Sequence, residues 1–99
     1  MSHPTTALDD VVHQRARLGI LAVLVEADHA DFNFLRTTLS LTDGNLSRHL
    51  QVLEEAGCVE LRKVFEGKRP RTWVKATKRG REAFACELDA LRELVNAHG

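Results

Sequence analysis

The stretch LTDGNLSRHLQVLEEAG, residues 41–57, decides how this chain folds. Leu46, Leu50 and Leu53 recur at spacings of four and three. At about 100° per residue they share one face of a helix. Thr42 stands where an N-cap belongs, and Gly57 follows the last periodic leucine, as glycine commonly does beyond a helix end. The opposite face holds Gly44, Arg48, Gln51 and Glu55, flanked by Asn45 and Ser47. Glycine and asparagine weaken helices, glycine by about 1 kcal/mol in an interior position. Their place at the head of a well-capped helix therefore needs a reason other than stability.

Close approach to DNA is such a reason. An arginine can donate twice to guanine, and asparagine or glutamine can pair with adenine, in the major groove. Ser47 and the free N–H groups of the first turn suit phosphate oxygens. Gly44 lets the backbone come near. Asp43 and Glu55 oppose a polyanion, although Asp43 also favours the helix N-terminus electrostatically. His49 lies toward the leucine face and reads as a partly buried packing residue.

Upstream, Asp31 is a plausible N-cap for a short helix over 32–40, with Phe34 or Phe32, Leu35 and Leu39 facing inward. The link Leu41-Thr42 joins it to the next helix, which makes a helix-turn-helix. Downstream, CVELRKVFEGKRPRTWVKAT alternates apolar and polar residues at Val59 and Leu61 and again at Thr72, Val74 and Ala76. That pattern predicts two half-buried strands, joined by a basic tip at EGKRP. Pro70 cannot donate to a sheet ladder, so it belongs near the tip or on an edge. Trp73 lies on the strand face opposite Val74 and is expected to pack rather than to meet a base.

Thr77 would cap a last helix reaching about His98, whose Phe84, Leu88, Leu91 and Val95 form a narrow apolar seam. A first helix is expected over about 9–27. Its segment LGILAVLV is apolar around most of the circumference, whereas a helix on one core shows a single stripe. Such a helix buries two faces, and in a chain of 99 residues a second subunit is the natural cover for one of them. The expected dimer contacts are Leu18, Leu21 and Val25 of the first helix and Leu88, Leu91 and Val95 of the last. Residues 1–8 read as a flexible arm, and 9–99 as one domain for DNA binding and dimerisation.

Net charge is zero, but its distribution is uneven. Residues 62–81 contain nine basic residues and one acid, a net of +8, which leaves −8 for the rest. A basic segment on an acidic body points to a polyanion-binding edge.

The elements LSRHLQVLEEAG, GKRPRTW and ATKRGREAF, in this order, resemble the small single-domain winged-helix regulators related to the MarR and ArsR groups. The resemblance spans about residues 9–95. It implies a mainly α fold with a small β-hairpin (α+β), a winged helix-turn-helix in the order α-α-α-β-β-α, with first and last helices forming a dimer interface. It also implies a homodimer on a pseudo-palindromic double-stranded DNA site, more often repressing than activating. Carried onto this sequence, recognition falls on Gly44, Asn45, Ser47, Arg48 and Gln51, and wing contacts on Lys68, Arg69 and Arg71. Arg62 and Lys63 would support phosphate binding from the strand.

Other functions find less in the sequence. There is no G-x-S-x-G, no phosphate-cradling glycine loop and no Cys/His pair in a recognisable context, so an enzyme is not expected. No cofactor or metal is expected either. Cys58 and Cys86 are isolated, a free cysteine is most often a small buried hydrophobe, and Asp10 with His13 supplies only two ligands. No apolar run is long enough for a membrane span, and MSHPTTAL lacks the pattern of a secretory signal. A cytoplasmic, reduced protein is expected. The rival readings are an interaction module that has kept the fold without DNA binding, and a sensor repressor with a small-molecule or metal effector.

Overall fold

A computed structural model describes the backbone of residues 4–98 and the side chains of residues 15–97. The chain forms helix α1 (Pro4–Ala27), strand β1 (His29–Asp31), helices α2 (Phe32–Thr38) and α3 (Asp43–Glu55), strands β2 (Val59–Glu66) and β3 (Arg69–Ala76), and helix α4 (Lys78–His98). The expected winged-helix order of helices and hairpin is present. Asp10 and His13, the pair judged too few for a metal site, lie outside the described side chains.

The caps anticipated from sequence set the helix starts. The Phe34 N–H donates to Asp31 Oδ1 at 2.7 Å, and the Asn45 N–H to Thr42 Oγ1 at 3.1 Å. At α4 the Gly80 N–H donates to Thr77 Oγ1 at 3.0 Å. α1 begins at Pro4, so residues 4–8, assigned above to an arm, continue the helix. Proline is well suited to a first helical position, where its fixed φ fits and its missing N–H is not needed. α2 ends at Thr38, two residues early, because Ser40 turns into the left-handed region at φ 54°.

One strand was not anticipated. β1 pairs antiparallel with β3, giving a three-stranded sheet in the order β1-β3-β2. It reaches only Trp73–Lys75, so Pro70 has no strand on that side and removes no ladder bond there.

The core lies between the helices and one face of this sheet. Ile20, Leu21 and Leu24 of α1, Leu35 of α2 and Leu46, Leu50 and Leu53 of α3 are buried against Ala30, Val59, Val74 and Ala76. Phe32 rather than Phe34 joins them; Phe34 is exposed. His49 is buried, as its place on the wheel indicated. Cys58 is buried too, whereas Cys86 is exposed on the surface of α4.

Leu21 departs from its expected role. It is 5% exposed within a single chain, so it belongs to the protomer's own core and leaves a partner little to cover. An all-round apolar helix does not say which of its faces the same chain covers. On α4, Leu91, Leu94 and Val95 are left open.

Candidate nucleic-acid interface

The recognition face is built by α3. With Leu46, Leu50 and Leu53 buried, the helical period turns Gly44, Asn45, Ser47, Arg48 and Gln51 outward, and all five are exposed. A Cβ at Gly44 would meet nothing within 4 Å, so no packing demand accounts for this glycine. Asp43, whose charge counted against DNA, is engaged by Arg36 at 3.0 Å. The pair ties α2 to the first turn of α3 and moderates the negative potential at the helix head. Sequence reasoning passed over Arg36, because its partner lies across a turn. Gln51 donates weakly to Glu55 at 3.4 Å, an exposed contact that a better partner can displace.

The hairpin supplies the second part. Glu66 pairs with Arg69 across a two-residue turn, Gly67-Lys68, with Gly67 at φ 66°. That is the position a tight hairpin turn reserves for glycine. Lys68 and Arg69 are exposed at the tip.

Strand alternation then separates residues that sequence adjacency had grouped. Lys63 pairs with Thr72 on the inner face, the face of Leu61, Val74 and the core. There it lines a groove with Ser47 and Gln51 of α3. Arg62 pairs with Trp73 on the outer face, beside His29 and Lys75. Arg62 and Lys63, both named above as possible phosphate contacts from the strand, therefore do not share a surface. Their side chains leave opposite faces of the sheet, and only Lys63 is beside the recognition helix.

Arg71, named above as a wing contact, is also engaged within the chain. Its guanidinium lies 3.3 Å from Glu66 and 3.7 Å from Asp31, and 5.5 Å from the Trp73 ring centroid. Trp73 in turn meets the His29 ring edge-on, at 5.2 Å between centroids. Arg71 therefore links the hairpin to β1, with Trp73 packing as anticipated. Beyond this network, Arg81 of α4 holds Asp28 at 3.0 Å. The hydrogen bond from His29, helped by Lys75 and Arg81, keeps the Asp28 carboxyl below the usual carboxylate range.

The surface is thus a small, polar helix edge beside a cationic hairpin, a shape and charge for a double helix. Residues 16–95 match the family described as winged helix DNA-binding domain. The chain belongs to that family.

An uncharacterised protein of Methanocaldococcus jannaschii is 47% identical over 68 residues, spanning 69% of this chain and 74% of that protein. A transcriptional regulator homologue from Pyrococcus horikoshii has a similar structure, with TM-score 0.76 and 34% identity over 91% of this chain and 94% of that one. A MarR-family regulator from Silicibacter pomeroyi aligns with TM-score 0.64 and 26% identity, over 79% of this chain and 51% of its own. The chain is accordingly a small winged-helix regulator with a DNA-binding domain. Among the described residues, no group of three or more His, Cys, Asp or Glu could hold a metal ion, and no helix is long and apolar enough to cross a membrane.

The open space at Gly44 yields a two-sided expectation. Gly44→Ala should melt at or slightly above the wild-type temperature, since alanine is the better helix former by up to about 1 kcal/mol. Gly44→Phe should fold as well, yet lose about tenfold or more in DNA affinity, because a bulky side chain holds the helix off the groove floor. Thermal melting and fluorescence anisotropy on one duplex check both. Full affinity in Gly44→Phe would show that this end of the helix stays clear of DNA.

Proposed function

We propose that the protein is a homodimeric, sequence-specific transcriptional repressor of the cytoplasm. The observation that carries this reading is the shared exposure of two features on one side of the molecule: the outward row of α3, and Lys63 leading to the Lys68–Arg69 tip. Gly44, Asn45, Ser47, Arg48 and Gln51 would enter the major groove, with Arg48 and Gln51 best equipped to read bases. Lys63, Lys68 and Arg69 would neutralise phosphates, while Arg71 links the wing to β1. Arg62, on the far face of the sheet, is left out of the contact set.

The open surface of α4 supports the dimer. Leu91, Leu94 and Val95 are 43%, 58% and 69% exposed on a helix of 21 residues. A groove between α1 and α4 adjoins this surface, lined by Leu18, Ala83 and Leu91 together with Arg15, Arg17 and Glu87. A second copy of the same helix pair would cover both, with half-buried Leu18, Val25 and Leu88 at its margin. Residues 9–99 would then act as a single DNA-binding and dimerisation unit. Two recognition helices would meet successive major grooves about 34 Å apart on a pseudo-palindromic site.

The test is a salt-titrated binding assay on duplexes from the protein's own promoter region, with light scattering alongside. Six phosphate contacts per dimer would give a log–log slope of about −5. Absent or salt-independent binding would overturn the DNA reading, and a monomer at micromolar concentration would overturn the dimer. Repression is checked separately, by placing a bound fragment upstream of a reporter.

A further inference from the structure

We propose that Phe65 is an apolar wedge, which the wing inserts between base pairs where it meets the minor groove. This rests on the DNA-binding reading above and adds to it a residue that deforms the duplex and thereby selects sequence.

Phe65 is 75% exposed, more than Leu91, Leu94 or Val95. Those three lie on a helix with a partner surface in view, whereas Phe65 stands near a hairpin tip among charged residues. Hairpin tips and edges are normally kept polar, because an open apolar side chain there invites association. A phenylalanine in this place needs an occupant for its ring.

The register says which way the ring points and what surrounds it. Phe65 pairs with Pro70, two steps outward from the Lys63–Thr72 pair, and so leaves the same face of the hairpin as Lys63. Lys63 lines the groove beside Ser47 and Gln51, so this is the face turned toward the recognition helix. From Lys63, beside the recognition helix, to Phe65 the strand runs two steps, about 7 Å, toward the hairpin tip. The ring is therefore carried outward of the helix, on the part of the wing that would follow the duplex out of the major groove toward the adjoining minor groove.

Its neighbours match that site chemically. Lys63 and Arg69 line one hollow with Pro70, alongside Asp31 and Glu66, and Lys68 stands in the adjoining turn, so cations suited to phosphates flank the Phe65–Pro70 pair. The two apolar residues at the centre are of types that wedge between base steps in minor-groove binding. A cationic rim around an apolar tip fits a duplex better than it fits a protein surface, where three charges would have to be desolvated. Inserting a ring unstacks one step and bends the duplex, and that costs least at flexible pyrimidine–purine steps. The wing would thus prefer such steps without a hydrogen bond to any base.

The experiment uses the full chain and an about 30-base-pair duplex recovered by selection from a random-sequence pool, carrying a dye at each end. Bending is read by energy transfer and affinity by anisotropy, for wild type, Phe65→Thr and Phe65→Leu. Threonine keeps strand propensity and removes the wedge, whereas leucine keeps a wedge. Phe65→Thr is expected to lose the bend and about tenfold in affinity with an unchanged salt slope, while Phe65→Leu keeps most of both. Equal bending by Phe65→Thr would overturn the wedge while leaving the DNA reading intact. So would a change in oligomeric state of that variant without DNA, which would assign the ring to a protein contact. Failure of the wild-type chain to bind any duplex would overturn both readings together.

Discussion

The variant Gly80→Ala is expected to melt about 10 °C or more below the wild type. Gly80 lies in the first turn of α4, where that helix presses on the junction between α3 and β2. A Cβ built there falls 2.0 Å from the Cys58 carbonyl oxygen and 2.9 Å from its carbon, both backbone atoms. The same oxygen accepts the Thr77 N–H at 3.0 Å, and the Cys58 N–H donates to Leu53 at 2.8 Å. The Thr77 hydroxyl meanwhile donates to the Gly57 carbonyl. To admit one methyl group, the chain must move a carbonyl held in this network. Alanine returns at most about 1 kcal/mol of helix propensity, and less in a first turn. Overpacking costs about 1–3 kcal/mol, and the strained hydrogen bonds add about 1 kcal/mol each. The clash wins. Gly44→Ala, with open space around it, is the matched control, and melting curves at equal protein concentration compare the two. A Gly80→Ala protein melting within a degree or two of wild type would refute this packing account.

The second large effect concerns DNA and separates two kinds of contact. Arg48→Ala is expected to cost about 1–3 kcal/mol per half-site and to relax preference at one base position. Lys68→Ala and Arg69→Ala should instead weaken binding to all sequences alike. Each neutralised phosphate contributes about 0.9 to the salt slope, so losing one contact per protomer lowers it by about 1.8 in a dimer. Competition between a selected site and its single-base variants, repeated across salt concentrations, resolves both quantities. If Arg48→Ala changed the slope and left base preference untouched, Arg48 would be a phosphate contact and base reading would pass to Asn45 or Gln51.

Much of this architecture was legible because it is local. Asp31, Thr42 and Thr77 each cap a helix through atoms within three residues, so the sequence carries the whole interaction. The leucines of α3 declare their face by spacing alone, and the outward row follows from it. What escaped depends on distant partners. Asp31 and Arg71 are forty positions apart, and nothing near either residue announces their ion pair. Whether Leu21 turned to its own core or to a second subunit depended on where the other helices settle. The split between Arg62 and Lys63 was available, because alternation along a strand separates neighbours. Grouping them by adjacency followed the charge and overlooked the pleat. Phe65 fell on the apolar side of that alternation, and only the structure shows that the body ends before reaching it.

The short strand β1 also has a consequence for how the chain reaches its fold. The helix-turn-helix and the hairpin each close over short stretches, and such contacts form quickly. Joining His29 to Lys75 instead closes a loop of more than forty residues. At (3/2)RT ln n this costs about 3 kcal/mol, before any constant, and three residues of ladder cannot repay it alone. β1 therefore pairs only once α1 and the hairpin have been drawn together by the core, and it belongs to the native side of the folding barrier. The strand that sequence periodicity missed is the one that the rest of the fold must first make room for.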